Sequence, residues 1–70
     1  MQKWEYLFVS VDMVRGKRRP RGVNGLKLHN WKQGPTIANY ANQLGEEGWE
    51  LIGSSVASFE LVFKRLKLER

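Results

Sequence analysis

The residues best suited to chemistry in this 70-residue chain are five cations within seven positions, Arg15-Gly-Lys-Arg-Arg-Pro-Arg21. Arginine presents a planar fork of donors that matches a phosphate. Arg15, Lys17, Arg18, Arg19 and Arg21, with no acid among them, therefore form a candidate anion site whose partner is nucleic acid or an acidic protein. The chain has twelve Lys and Arg against seven Asp and Glu, a net charge of +5, and outside residues 15–21 the two signs balance. Pro20 and the flanking Gly16 and Gly22 predict a basic loop or hairpin tip over 15–22. Five close positive charges repel one another least when solvated. The simpler use of such a tip is to keep a small sheet from pairing edge to edge with another.

Other chemistry is poorly supplied. His29 is the single histidine and Asp12 the single aspartate, and neither has an obvious nucleophile beside it in the sequence. Glu46 and Glu47 are adjacent, so on a helix they diverge. Glu50 and Glu60, if paired across strands, would form a like-charge couple with one raised pKa. Compensation by Lys64 or Lys3 is the simpler reading. Cysteine is absent, which removes thiolate chemistry and disulfides. No His/Asp/Glu spacing of the metal-ligating kind occurs, and no glycine-rich loop follows a strand and opens a helix. This pattern implies no catalytic residue, no metal, no cofactor and no enzyme.

The elements that must position these residues are those of one small domain, 1–70. Apolar residues are 41% of the chain and aromatics 11%, too many for disorder and enough for one thin core. No apolar run reaches the roughly 18–20 residues of a membrane helix, and no signal-peptide pattern opens the chain. A cytoplasmic location with no membrane partner is the expectation.

Residues 3–14, KWEYLFVSVDMV, read as a strand rich in aromatic and β-branched types. Trp4, Tyr6 and Phe8 share one face; Leu7, Val9, Val11 and Met13 share the other. Asn24-Gly25 marks a tight turn, residues 27–29 a short strand or extended stretch, and 30–34 a loop anchored by Trp31. Pro35 opens a helix capped by Gly34 or Thr36, with Ile37, Tyr40, Ala41 and Leu44 on its buried face. Gly48 ends it. Gly45, costly inside a helix, suggests close approach to the sheet. Residues 49–54 and 59–66 read as two further strands joined by a serine-rich turn.

The sum is an α+β fold, a small antiparallel sheet of three to four strands with one helix packed on one face, in the order β-(β)-α-β-β. One helix covers one sheet face. The expected covered face is Phe8, Trp49, Leu51, Phe59, Leu61 and Phe63. The other, Leu7, Val9, Val11, Ile52 and Val62 among Glu5, Glu50, Glu60 and Lys64, has the apolar centre and charged rim of an interface. Either a second copy of the chain or the 15–34 segment must shield it; a dimer or higher homo-oligomer is the expectation.

Three segments carry a family resemblance: Trp4-Glu-Tyr6, Leu44-Gly-Glu-Glu-Gly-Trp-Glu-Leu51 and Val62-Phe-Lys-Arg65. In order and spacing they resemble the DUF4177 family, small, mainly bacterial domains with a WEY-type first strand, a helix ending in LGxEGWEL and a hairpin closing on FKR. The long basic 15–34 stretch departs from that pattern. The resemblance implies a small β–α–β–β domain and transfers no activity, because the family has none assigned. The combined expectation is a non-enzymatic, homo-oligomeric interaction module, with nucleic-acid binding through 15–21 as the alternative.

Overall fold

The structure, a computed structural model, describes residues 1–55 and 59–67. The serine-rich turn read over 54–58 falls mostly outside them, as do residues 68–70. Five strands form one antiparallel sheet: β1 (Trp4–Val14), β2 (Lys17–Val23), β3 (Leu26–Lys27), β4 (Glu50–Ser55) and β5 (Glu60–Leu66). Helix α1 spans Ile37–Glu46, and a short 3-10 turn spans Trp31–Gln33. The spatial order is β3-β2-β1-β5-β4.

This is the expected α+β class with more strands than the three to four expected. The difference lies in the basic segment. Only Arg15 and Gly16 form a loop there, at φ 55° and 78°; Lys17 onward is strand. Left-handed φ at both central residues is what a type I′ hairpin turn requires. Asn24-Gly25 repeats the geometry, at φ 52° and 84°. Pro20, which suggested loop, sits opposite Val11 where the register shifts past Arg21. Its outer side is not paired by β3, which reaches only Gly22 and Val23. Edges and bulges are where a sheet tolerates proline. Asn24 closes the far end of the β1–β2 ladder: its N–H donates to the Phe8 carbonyl at 2.7 Å, and its Oδ1 accepts from the Phe8 N–H at 2.9 Å.

The chain leaves the sheet at one edge, β3, and re-enters at the opposite edge, β4. Residues 28–49 must therefore cross the sheet, and α1 makes that crossing over one face. Thr36 caps the helix, its hydroxyl accepting from the Asn39 N–H at 3.4 Å. At the other end Gly48 takes φ 89°. Its N–H reaches the Gly45 carbonyl at 3.0 Å, and the Trp49 N–H reaches the Leu44 carbonyl at 2.9 Å. That pair is a Schellman cap. It satisfies carbonyls the helix end would otherwise leave bare, and it turns the chain so that Trp49 packs beside Leu44.

The core beneath the helix consists of Val9, Val11, Leu44 and Phe63, with Leu7, Val23, Ile37, Tyr40, Ala41, Trp49 and Leu61 packed around it. This reverses part of the expected face assignment. The facing within β1 and within β5 is as read, but β1 pairs β5 with Leu7 opposite Phe63, Phe8 opposite Val62 and Val9 opposite Leu61. Directly opposed residues share a face. A one-residue shift in pairing exchanges the faces. Leu7, Val9 and Val11 thus lie under the helix, with Val9 fully buried, and are not an intermolecular surface. Phe8 lies on the open face. Of the expected interface set, only Val62 is placed there by its pairing. Ile52 sits at the β4 irregularity between Leu51 and Gly53, and both Leu51 and Ile52 are exposed.

Gly45 also differs from expectation. A Cβ built there meets no atom within 4 Å, so close packing is not the reason for glycine. Gly45→Ala is expected to stabilise the domain by roughly 0.5–1 kcal/mol, since nothing opposes the gain in helix propensity. Urea unfolding measures it, and a loss of stability would contradict the open geometry at this position.

Candidate functional site

Three sites follow from this frame. The first is the corner where α1 ends. Arg65 on β5 stands opposite Glu5 on β1. Its Nε donates to the Glu5 carboxylate, and its Nη1 donates to the Glu47 carbonyl at 3.1 Å. The guanidinium carbon lies 4.3 Å from the centre of the Trp49 ring. One side chain thus joins the first strand, the last strand, the helix cap at Glu47 and Trp49 two residues on. The same three segments that carry the family resemblance meet here. Both members of the ion pair are about one-third exposed, so the charge pair itself contributes little. The cation–π contact, made over the partly buried Trp49 ring, contributes more. Trp49 is packed on the core, as expected of the covered face, and Arg65 lies over its ring.

The second site is the open face of the sheet. Strand pairing lays it out in rows: Leu66 beside Trp4; Glu50, Lys64 and Tyr6; Gly53, Val62 and Phe8; Glu60 and Ser10. Trp4, Tyr6, Phe8 and Leu66 are 43–50% exposed. Glu50 and Glu60 do not face each other; Glu50 faces Lys64 and Glu60 faces Ser10. The Lys64 ammonium stands 4.5 Å from the centre of the Trp4 ring. At the hairpin end the same side of the sheet is covered. Asp12, which alternates onto this face, accepts from Arg21 at 3.4 Å. The Arg21 guanidinium in turn lies 5.9 Å from the ring of Trp31, which is buried. The 15–34 segment therefore shields one end of the face and leaves the aromatic end open.

The third site is the basic hairpin. Alternation along β2 separates its cations. Arg19 turns inward, donating to the Gly34 carbonyl, and its Nε is enclosed without a hydrogen-bond partner. Arg21 is engaged by Asp12. Arg15, Lys17 and Arg18 are exposed at the tip. Reading the sequence alone missed Lys27 and Lys32, which line one shallow cleft of about 420 Å³ with Arg21. No charge run marks them, because the turn at Asn24-Gly25 brings them back beside β2.

Catalytic chemistry finds no comparable assembly. His29 is exposed on a surface cleft among Lys27, Asn30, Lys32 and Gln33, with no carboxylate lining it. Among the described residues no group of three or more His, Cys, Asp or Glu could hold a metal ion. None of their helices is long and apolar enough to cross a membrane. The Tyr40 hydroxyl is held above its usual range, first by burial and then by the nearby Glu47 carboxylate. Burial that favours the neutral phenol contributes stability below the ordinary tyrosine range and loses it as pH rises through the raised value. Compared with protein-family models, with curated proteins and with solved structures, the chain matches none.

Arg65→Met keeps most of the stem and removes the charge. It is expected to cost about 0.5–1 kcal/mol in urea unfolding, chiefly through the lost ring contact. Glu5→Gln should cost less than half as much. Equal losses would assign the corner's stability to the ion pair instead.

Proposed function

We propose that this protein is a non-enzymatic module that associates with a second copy of itself through the open aromatic face. The observation that supports this reading is the row of Trp4, Tyr6, Phe8 and Leu66, all large, apolar and close to half exposed on one sheet face. At these exposures the aromatic side chains alone leave roughly 70–110 Å² each in water. With Leu66 and Val62 the patch reaches roughly 300–400 Å², in the range of the largest apolar patch on a typical monomer, a patch that is often functional.

Two features favour a second copy as the occupant. The face carries charges of both signs, Glu50 and Glu60 around Lys64, which lies between Glu50 and Tyr6, so a two-fold pairing can set acid against base on both sides. Gly53 leaves β4 bare in the row of Val62 and Phe8, with no atom within 4 Å of its missing Cβ, so the surface has room for a partner's ring. The chain also gains from burial. Among the described residues its buried apolar set is Val9, Val11, Trp31, Leu44 and Phe63, a thin core for a domain without disulfides.

Membership of the DUF4177 family remains part of this proposal. Its support is the convergence of the three motif segments on Arg65, which gives their spacing a structural reason.

Tyr6→Thr with Phe8→Thr keeps β-branched residues on the strand and removes the rings. Light scattering at about 10–100 µM, a range in which modest interfaces assemble, should give the mass of two or more chains for the parent and of one chain for the variant. Both should show the same circular dichroism. A parent of single-chain mass throughout that range would overturn the reading.

A further inference from the structure

We infer that the β1–β2 hairpin end is a separate site that enters the major groove of double-stranded DNA and binds its phosphates without reading bases. Residues 13–45 contain seven cations and no acid, whereas the rest of the chain holds five cations and seven acids. The molecule is 44 Å long and about half as wide. β1 runs from Trp4 to Val14, so the hairpin tip stands at the far end of that strand from the aromatic rows. The two surfaces are therefore physically separate, and this inference does not rest on self-association.

The shape argues for a duplex. A two-stranded ribbon fits a major groove about 12 Å wide. Here Lys17 and Arg18 pair with Val14 and Met13 of β1 and lie beyond the reach of β3, so the exposed tip, residues 13–18, is such a ribbon; Arg19, turned inward onto the Gly34 carbonyl, and buried Pro20 mark where the body of the domain begins. Adjacent residues on a strand point to opposite faces, so Lys17 and Arg18 make both sides of the ribbon positive, with Arg15 at its apex. Lys27 and Lys32 extend the charge along one side, next to Arg21. A ribbon positive on both faces meets the phosphate ridges on both walls of a groove. A flat acidic protein surface would meet only one of them. The deep, narrow major groove of an RNA duplex would not admit it.

The chemistry argues against base stacking. Trp31, the aromatic residue beside Arg21 and Lys32, is buried, with their cations 5.9 and 5.8 Å from its ring centre, and the partly exposed Phe59 sits back along β1 beside Val11, behind the tip. Affinity then comes from phosphate contacts and released counterions, which do not depend on sequence.

Fluorescence anisotropy with a labelled DNA duplex of about 20 base pairs tests this over a salt series from about 50 to 200 mM. Contacts from Arg15, Lys17, Arg18, Lys27 and Lys32 should give a slope of log K against log salt of about −4 to −5, a loss of several hundred-fold across the series. Arg15→Asn with Lys17→Ser and Arg18→Ser should make the slope shallower by about 2–3; asparagine tolerates the left-handed turn position. Lys27→Ser with Lys32→Ser, a separate variant, should make it shallower by about 2. Circular dichroism should match the parent in both. Duplexes of unrelated sequence should bind within about threefold of each other. Absence of binding at about 50 mM salt would overturn the inference. So would equal affinity for an RNA duplex or for polyglutamate, or an unchanged slope in either folded variant.

Discussion

The pairing of β1 with β5 decides almost everything else about this molecule. Leu7 opposite Phe63 and Val9 opposite Leu61 put four apolar side chains on one face of the two central strands. Helix α1 closes over that face because the chain must travel from one sheet edge to the other. The opposite face inherits Trp4, Tyr6 and Phe8. A single amphipathic helix has one apolar stripe, so no rearrangement of α1 can cover both sets. The register thus sets, in one step, what becomes core and what remains available to another molecule.

The corner at Arg65 holds that arrangement in place. The helix ends at a Schellman cap, Trp49 folds back beside Leu44, and Arg65 spans the gap to Glu5 and the Glu47 carbonyl. Local chain chemistry and long-range strand pairing agree at this point, the kind of consistency that favours one native arrangement over its competitors. It also explains why short, widely separated segments should be recognisable as one motif: they are one site in space.

Much of this was legible in the residues. The helix face of Ile37, Tyr40, Ala41 and Leu44 follows from its spacing, and Gly48 as terminator follows from its freedom at positive φ. The alternation within β1 and within β5 was equally plain. What alternation does not carry is which face of β1, apolar on both, the register with β5 turns toward the helix. Phe8 and Leu7 are equally credible core residues, and only the pairing with β5 separates them. The basic segment hid its strand for a related reason: glycine and proline signal turns on average, whereas Pro20 occupies an edge that permits it. Lys27 and Lys32 were invisible as part of a site because proximity across a turn is not written as a charge run.

The molecule that results has two unlike ends. One carries exposed rings among charges of both signs; the other carries cations on both sides of a ribbon. Binding energy at the first comes from apolar burial and depends weakly on salt. At the second it comes from charge and falls steeply with salt. The most direct test of the central claim, that the open face is the one with Trp4, Tyr6 and Phe8, is an isotope-filtered nuclear Overhauser experiment on a mixture of labelled and unlabelled protein. Contacts between chains should appear from the Phe8 and Tyr6 rings to the Val62 methyls and to the backbone around Gly53. Intermolecular contacts at Leu7, Val9 or Leu61 instead would mean that the helix does not cover that face, and would contradict the account at its root.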